Sequence, residues 1–386
     1  MPKLSEICLI QAGQNAPQDA CYYNDNGLSF IKASDLDTII NDDKEDNCTK
    51  ITNQAVNDCK LKLFNANSII FAKSGLSCLK NRIYKCKKDF YLVNHLCALT
   101  LTSENYYIDW LLYFLKKFNL TNLIKDMAYP SISLTAIKNI EIPTIDIKTQ
   151  QIQSFNLQII EKLIKYKQLE IKHLDDLVKS RFNEMFDNVE TNRYSYNKLT
   201  INDICSSIVR GPFGSVLKKE FFVEKGPNTF KVYEQKHAIQ KNASLGEYYI
   251  DENKFKQLKR FECKPGDFIM SCSGTIGELY RLPEICEKGI INQALCKFTL
   301  NNMINPIVFD YSFKSIVSNL ETKGSGIKNI GSVNYIKSIE LLVPPKNIQD
   351  KFADFVKLID KSKFNVQKEI DSLKELFDAK LDEYFN

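Results

Sequence analysis

The sequence predicts an α+β fold: two similar domains joined by two long antiparallel coiled-coil helices, related by a pseudo-two-fold axis. Three observations predict it. A series of short phrases is written twice in the same order, a seven-residue apolar period is written twice, and so is a helix ending. The last two repeat at a shift of 199 residues.

The phrases come first. "KLSEIC" at 3–8 is answered by "KLTINDIC" at 198–205, and "LSFIKASDL" at 28–36 by "NTFKVYEQKH" at 228–237. "NSIIFAKSGLSC" at 67–78 pairs with "PGDFIMSCSGTIG" at 265–277, "VNHLCALTL" at 93–101 with "INQALCKFTL" at 291–300, and "IKNIEIP" at 137–143 with "IKSIELLVPP" at 336–345. Between them, short β-branched and aromatic runs bounded by Gly, Pro, Asn and Asp read as strands and turns. One helix is expected near 106–118, with a weaker counterpart around 306–319.

After the proline that closes each domain, the period changes. Leu157, Ile164, Ile171, Val178 and Met185 recur every seven residues. Shifted by 199 they become Val356, Lys363, Ile370, Phe377 and Tyr384, and Lys363 alone breaks the stripe. A heptad period held this long marks a coiled-coil seam, where a single amphipathic surface helix would explain only one stripe. Two equivalent halves pack their helices antiparallel. The helix endings "SRFNEMF" (180–186) and "KLDEYFN" (380–386) are near copies. The expected layout is a domain at 1–146, a spacer helix at 147–187, a linker and second domain at 188–345, and a second spacer helix at 346–386.

Length and composition agree. A chain of 386 residues suits two domains, and 44% hydrophobic with 26% charged residues is typical of a soluble globular protein. No apolar run of about 18 residues occurs to span a membrane, and the N-terminus lacks a secretory pattern, so a cytoplasmic location is expected. Twelve cysteines are scattered without a CxxC pair beside only three histidines, which argues against a metal site and for free thiols. The net charge of +5 divides unevenly: +1 for 1–150, 0 for 151–196, +6 for 197–346 and −2 for 347–386. The basic excess of the second domain is compatible with a polyanionic partner.

Taken together, the repeat, the helix-end pair and the phrases "IVRGPFGSVLKKEFF" (208–222), "GDFIMSCSGTIG" and "INQALC" resemble the specificity subunit of Type I restriction–modification systems over essentially the whole chain. The resemblance implies two target-recognition domains, each reading one half-site of a bipartite double-stranded DNA target. It also implies helices that dock two methyltransferase subunits using S-adenosylmethionine, with restriction subunits that use ATP and Mg2+ able to join. This chain itself would bind no cofactor. The first domain departs from the pattern, with "IQAGQNAPQ" (10–18) in place of "RGPFGS" and no GTIG, so the two domains would read different sequences.

Candidate DNA-binding residues follow. In "RGPFGSVLKK", Gly211 and Gly214 allow a tight loop whose amides approach phosphate, Ser215 offers a hydroxyl, Arg210 suits a guanine edge, and Lys218 and Lys219 suit phosphates. The alternative there is a Gly-Pro turn with a solvated basic flank. Lys231, Tyr233, Gln235 and Lys236 lie at a strand end, Ser273 and Thr275 in a glycine turn, and Lys323, Ser325 and Lys328 in a glycine-rich loop. In the first domain the candidates are Gln14, Asn15, Lys32, Ser34, Lys73, Ser74, His95, Tyr129 and Ser131. At the helix ends, Arg181 and Glu184, with Lys380 and Glu383, are candidates for subunit docking, or else form a solvated helix surface.

An enzyme is not expected. "NPIVF" at 305–309 lacks the second proline of an adenine-methylating loop, "SCSGTIG" lacks the GK[ST] of a nucleotide-binding loop, and no FxGxG loop or helicase box is visible. The alternative function is a coiled-coil protein-interaction module without sequence-specific DNA recognition.

Overall fold

The structure is a computed structural model that describes residues 1–42, 44–187, 189, 191–213, 216–317 and 332–386. The chain forms two compact units: residues 1–169 with 367–386, and residues 170–366. Each unit contains one α+β head and part of each long helix. Both long helices have 40 residues, Ile147–Phe186 and Lys346–Phe385.

In the first unit a four-stranded antiparallel sheet runs in the order Cys8–Ala12, Leu96–Leu101, Ile69–Ala72, Ile83–Lys85. In the second unit the matching sheet has Cys205–Arg210, Leu295–Leu300, Phe268–Ser271 and Leu279–Arg281 as neighbours. The register is the same in the two. Ile70 faces Ala98 and Phe71 faces Cys97, while Ile269 faces Lys297 and Met270 faces Cys296, each shifted by 199. Each head adds a second sheet with one parallel pair, Ile31 beside Leu92 in the first and Tyr233 beside Ile291 in the second.

A head helix packs under each main sheet: Ile108–Phe118 in the first unit and Pro306–Ile316 in the second. Asn305 caps the latter, accepting from the Ile307 amide at 3.0 Å ahead of a proline in the first turn. Trp110, Leu111 and Phe114 pack against Ile69, Phe71 and Leu99 in one core, and Phe309 and Phe313 against Phe268 and Phe298 in the other.

The long helices run antiparallel within each unit. In the first, Asn156 Nδ2 donates to the Tyr384 hydroxyl at 3.1 Å and Lys167 meets Glu369 at 2.7 Å. Leu157 packs with Leu381 beside Phe377 and Tyr384. In the second, Lys363 pairs with Asp175 at 2.7 Å, and Phe182 packs on Phe352. The break in the heptad stripe is thus filled by an ion pair. Burial lowers the Lys363 pKa, but Asp175 outweighs it and holds the ammonium above its ordinary value. Val178, Val356 and Ile370 are buried in the seam, while Ile164, Ile171, Met185, Phe377 and Tyr384 are half-buried.

The doubled helix ending now has a physical reason. Phe186 stacks on Phe182 and meets Phe352 edge-on at 5.0 Å. Phe385 packs on Trp110 at 5.2 Å and Phe114 at 6.0 Å. The C-terminal end of each helix therefore inserts an aromatic anchor: Phe385 against a head helix, and Phe186 against the root of the other long helix.

Among the described residues, no helix is long and apolar enough to cross a membrane, and all twelve cysteines are free.

Candidate nucleic-acid interfaces

In each head the two sheets end at a common set of loops. In the first, the turn after Ile69–Ala72 is tied down by backbone bonds: Lys73 N–H to His95 O (2.9 Å), Ile132 N–H to Lys73 O (2.7 Å) and Gly75 N–H to Pro130 O (3.0 Å). Gly75 has φ 77°, a conformation that disfavours other residues. Ser74 Oγ lies 2.8 Å from His95 Nδ1. Asn94 donates its side-chain amide to Asn15 Oδ1 at 2.7 Å and its backbone N–H to Gln14 O at 2.7 Å. The parallel pairing of Ile31 with Leu92 brings Lys32 to the same edge, where its ammonium lies 4.5 Å over the Tyr23 ring.

Lys73, Ser74, His95 and Ser131 thus converge, with Asn15 and Asn94 beside them, although they come from four distant stretches of sequence. A cleft of about 630 Å³ opens next to them, lined by Gly13, Gln14, Asn15, Asp19, Tyr22 and Asn94. Asn15, His95, Ser131 and Tyr129, the last 83% exposed, face solvent. The Gln14 side chain is committed, donating to Lys60 O at 3.0 Å and accepting from the Lys62 amide. Ser34 Oγ bonds Asp35 at 3.2 Å at a helix start. Sequence reasoning misses Asn94 and the exposed Leu76 and Met127. The repeated "VNH"/"INQ" phrase is the available signal for Asn94.

The second head gathers the corresponding loops. Gly274 has φ 63°, the Cys272 amide bonds Ala294 O at 2.8 Å, and the Asn292 amide bonds Tyr233 O at 2.9 Å. Gln235 donates to the Ser273 and Thr275 carbonyls, so it braces the glycine turn. Thr275 and Gln293 are exposed on these loops, and Lys218 and Lys219 are exposed on the segment between Cys205–Arg210 and Thr229–Tyr233. Lys218 pairs with Glu220 at 3.5 Å, and Lys236 with Glu234 at 2.9 Å.

Four expectations in this head are corrected. Lys231 is 1% exposed, with its ammonium 3.0 Å from Glu287. Tyr233 is fully buried, and its hydroxyl donates to Glu287 O at 2.6 Å. Both belong to the interior and cannot meet a duplex there. Arg210 is largely buried, its guanidinium 5.2 Å from the Phe213 ring. Gly211 is required for close packing: a Cβ would lie 1.8 Å from Asn292 O, and its amide is committed to Leu295 O at 3.0 Å. Gly13 plays the same part in the first head, where a Cβ would lie 2.2 Å from Leu92 O and the amide bonds Leu96 O at 3.1 Å. Gly214, Ser215, Lys323, Ser325 and Lys328 lie outside the described residues.

Elsewhere in the second head, burial pushes the Glu287 carboxyl up, but Lys225, Lys231 and Tyr249 outweigh it and bring its pKa down to about 2. His237 is buried and held neutral, its pKa lowered by burial. Its Nδ1 accepts from the Glu234 amide at 2.8 Å, and its Nε2 donates to Leu245 O at 2.5 Å. At the helix ends, Arg181 pairs with Glu184 at 2.7 Å and Lys380 with Glu383 at 2.6 Å, the same exposed i,i+3 pair in each copy.

Two loop sets of hydroxyls, amides and lysines on one strand register invite comparison with known proteins. Residues 1–177 match the Type I restriction modification DNA specificity domain. That match covers a little under half of this chain. A stretch of 167 residues is 31% identical to the Type I restriction enzyme MjaIX specificity subunit of Methanocaldococcus jannaschii, covering 42% of this chain and 38% of that relative. The match therefore spans well under half of the curated relative. In fold, the chain is similar to the crystal structure of a Type I restriction–modification S subunit from M. genitalium, with TM-score 0.54 and 16% identity over 98% of this chain and 94% of that one. It is also similar to a chain from a structural study of complex assembly and conformational transition in the type I R-M system, with TM-score 0.63 and 14% identity over 100% and 96% of the two chains. The structural likenesses show a shared α+β fold with two long helices.

Proposed function

We propose that the chain is the DNA-specificity subunit of a Type I restriction–modification complex. Each head reads one half-site of a bipartite duplex target, and the paired helices set the distance between the half-sites. The helices dock two methyltransferase subunits, and restriction subunits can join. The chain performs no chemistry itself. S-adenosylmethionine belongs to the methyltransferases, and ATP with Mg2+ to the restriction subunits.

The observation that carries this reading is the doubled loop set: two heads with one strand register present equivalent loops whose exposed residues differ. Asn15, His95, Tyr129 and Ser131 are offered by the first, and Thr275, Gln293, Lys218 and Lys219 by the second. Short polar side chains and lysines on loops suit base edges and phosphates respectively. Different residues on equivalent loops suit different half-sites.

The test is selection from random duplexes by the full chain, alone and with a methyltransferase partner. A split motif is expected, with affinity falling steeply between about 50 and 200 mM salt as phosphate contacts are screened. Salt-insensitive binding without a split motif would favour a protein-interaction module instead.

A further inference from the structure

Gln150 and Gln349 sit one turn into the two long helices, 199 residues apart, and both are buried, at 0% and 1% exposure. The Gln150 Oε1 accepts from the Tyr107 amide at 2.8 Å, while its Nε2 donates to the Asn105 and Ile145 carbonyls at 3.0 and 2.9 Å. The Gln349 Oε1 accepts from the Asn305 amide at 2.6 Å, and its Nε2 donates to the Met303 and Pro344 carbonyls at 3.0 and 2.8 Å. Each side chain therefore joins three backbone segments: the root of a long helix, the residues just before it, and the loop that starts the head helix.

We infer that Gln150 and Gln349 are positioning residues that fix each head's orientation on its own long helix, and thereby the half-site spacing the protein accepts. The inference rests on the proposed DNA-reading function. Three physical points support it. A buried amide with all its partners on backbone has one permitted placement, since its loss strands three polar groups away from water. The partners cannot drift by side-chain rotation, because they are main-chain atoms of a loop and a helix start. Finally, the side chains around the two joints differ: Trp110 Nε1 donates to Gln153 in the first unit, where the second has Val308 and Phe352. The glutamine geometry is the part of the joint that both units share. Neither glutamine bonds to the candidate reading loops, so its action on DNA is indirect.

The experiment compares the wild-type chain with Gln150→Leu and Gln349→Leu in duplex selection. Ile70→Ala and Ile269→Ala serve as controls that weaken each sheet away from the joint. The expected result is that the glutamine variants keep both half-sites but accept spacers about one base pair longer and shorter than wild type, while the isoleucine variants keep a single spacer. A single unchanged spacer in the glutamine variants, or equal broadening in the controls, overturns the inference. A wild-type chain that selects no split motif overturns the DNA-reading function instead. Amide hydrogen exchange then decides the joint by itself. Exchange at Tyr107 in Gln150→Leu, and at Asn305 in Gln349→Leu, should rise about tenfold over the rest of the head. A rise spread evenly over the head would mean that the glutamines only contribute stability, and would overturn the positioning role.

Discussion

The two heads share a register but differ in what fills it. In the first, Ser68 and Thr100 share a hydrogen bond at 2.8 Å beside the small, buried Ala98. In the second, the same three positions are Asp267, Thr299 and Lys297. Asp267 accepts from Thr299 at 2.7 Å and pairs with Lys297 at 3.2 Å, both charges nearly buried. The roots of the long helices differ in the same way. The first unit uses Trp110 on Gln153 and Tyr113 on Glu161, while the second uses Phe182, Phe186, Tyr311 and Phe352. Backbone pairing and the two buried glutamines persist while the packing around them is rewritten. One frame thus carries two chemically distinct heads.

Single substitutions should sharpen that comparison. The largest effect is expected at the doubled helix ending. Phe186→Ala should cost the second unit about 4 kcal/mol, and Phe385→Ala the first about 2 kcal/mol. The difference follows from burial: Phe186 is 1% exposed and leaves a cavity, whereas Phe385 is half-buried and water can enter behind it. Denaturant unfolding measures both, and equal losses would mean that the two anchors are equivalent.

Next comes the buried ion pair. Lys297→Ala alone leaves the Asp267 carboxylate without its cation and should cost about 3 kcal/mol. Adding Asp267→Ser recreates the first head's arrangement and should bring stability back to within about 1 kcal/mol of wild type. Additive losses in the double variant would show that the two sheets are not interchangeable frames.

Acid should act on the second unit through Glu287 and His237. Glu287 has a folded pKa of about 2 against an ordinary 4.5, so its contribution is complete above 4.5 and is lost as pH falls towards 2. His237, with its pKa lowered from 6.5, contributes fully above 6.5 and progressively less below it. Glu287→Gln leaves the buried Lys231 without its carboxylate. Solvent screening of the half-exposed Glu287 reduces the expected cost to about 2 kcal/mol at neutral pH. The same variant should flatten the profile between pH 4.5 and 2, and an unchanged profile would remove Glu287 as the cause.

The smallest effect is expected for Gln153→Met, which keeps the side chain's length but withdraws the acceptor from Trp110 Nε1. Thermal unfolding should report a loss of about 1 kcal/mol. No loss would mean that the indole contributes to the first unit through its ring alone.

Much of the frame was legible in the sequence. The 199-residue shift that aligns Leu157 with Val356 also aligns the strand registers and the two glutamines, because a repeat keeps backbone pairing even where side chains diverge. Even the break at Lys363 belongs to the seam, through Asp175. The candidate DNA-reading loops were legible only in part. In "TFKVY" the consecutive Lys231, Val232 and Tyr233 are all buried, so both faces of the strand are covered and alternation could not mark an outward one, and the partner that buries Lys231 lies 56 positions away at Glu287. Gly211 reads as a phosphate-approach glycine because its actual neighbour, the Asn292 carbonyl, comes close only in three dimensions.

The most direct test of the proposed spacing role is a matched insertion of one heptad into each long helix, after Leu169 and after Val366, where the chain passes from one unit to the other. Seven residues add about 10 Å and keep the apolar seam in phase. The expected result in methylation mapping is a preferred spacer about three base pairs longer, with both half-sites unchanged. A spacer that stays the same while the protein still folds and selects its half-sites would contradict the claim.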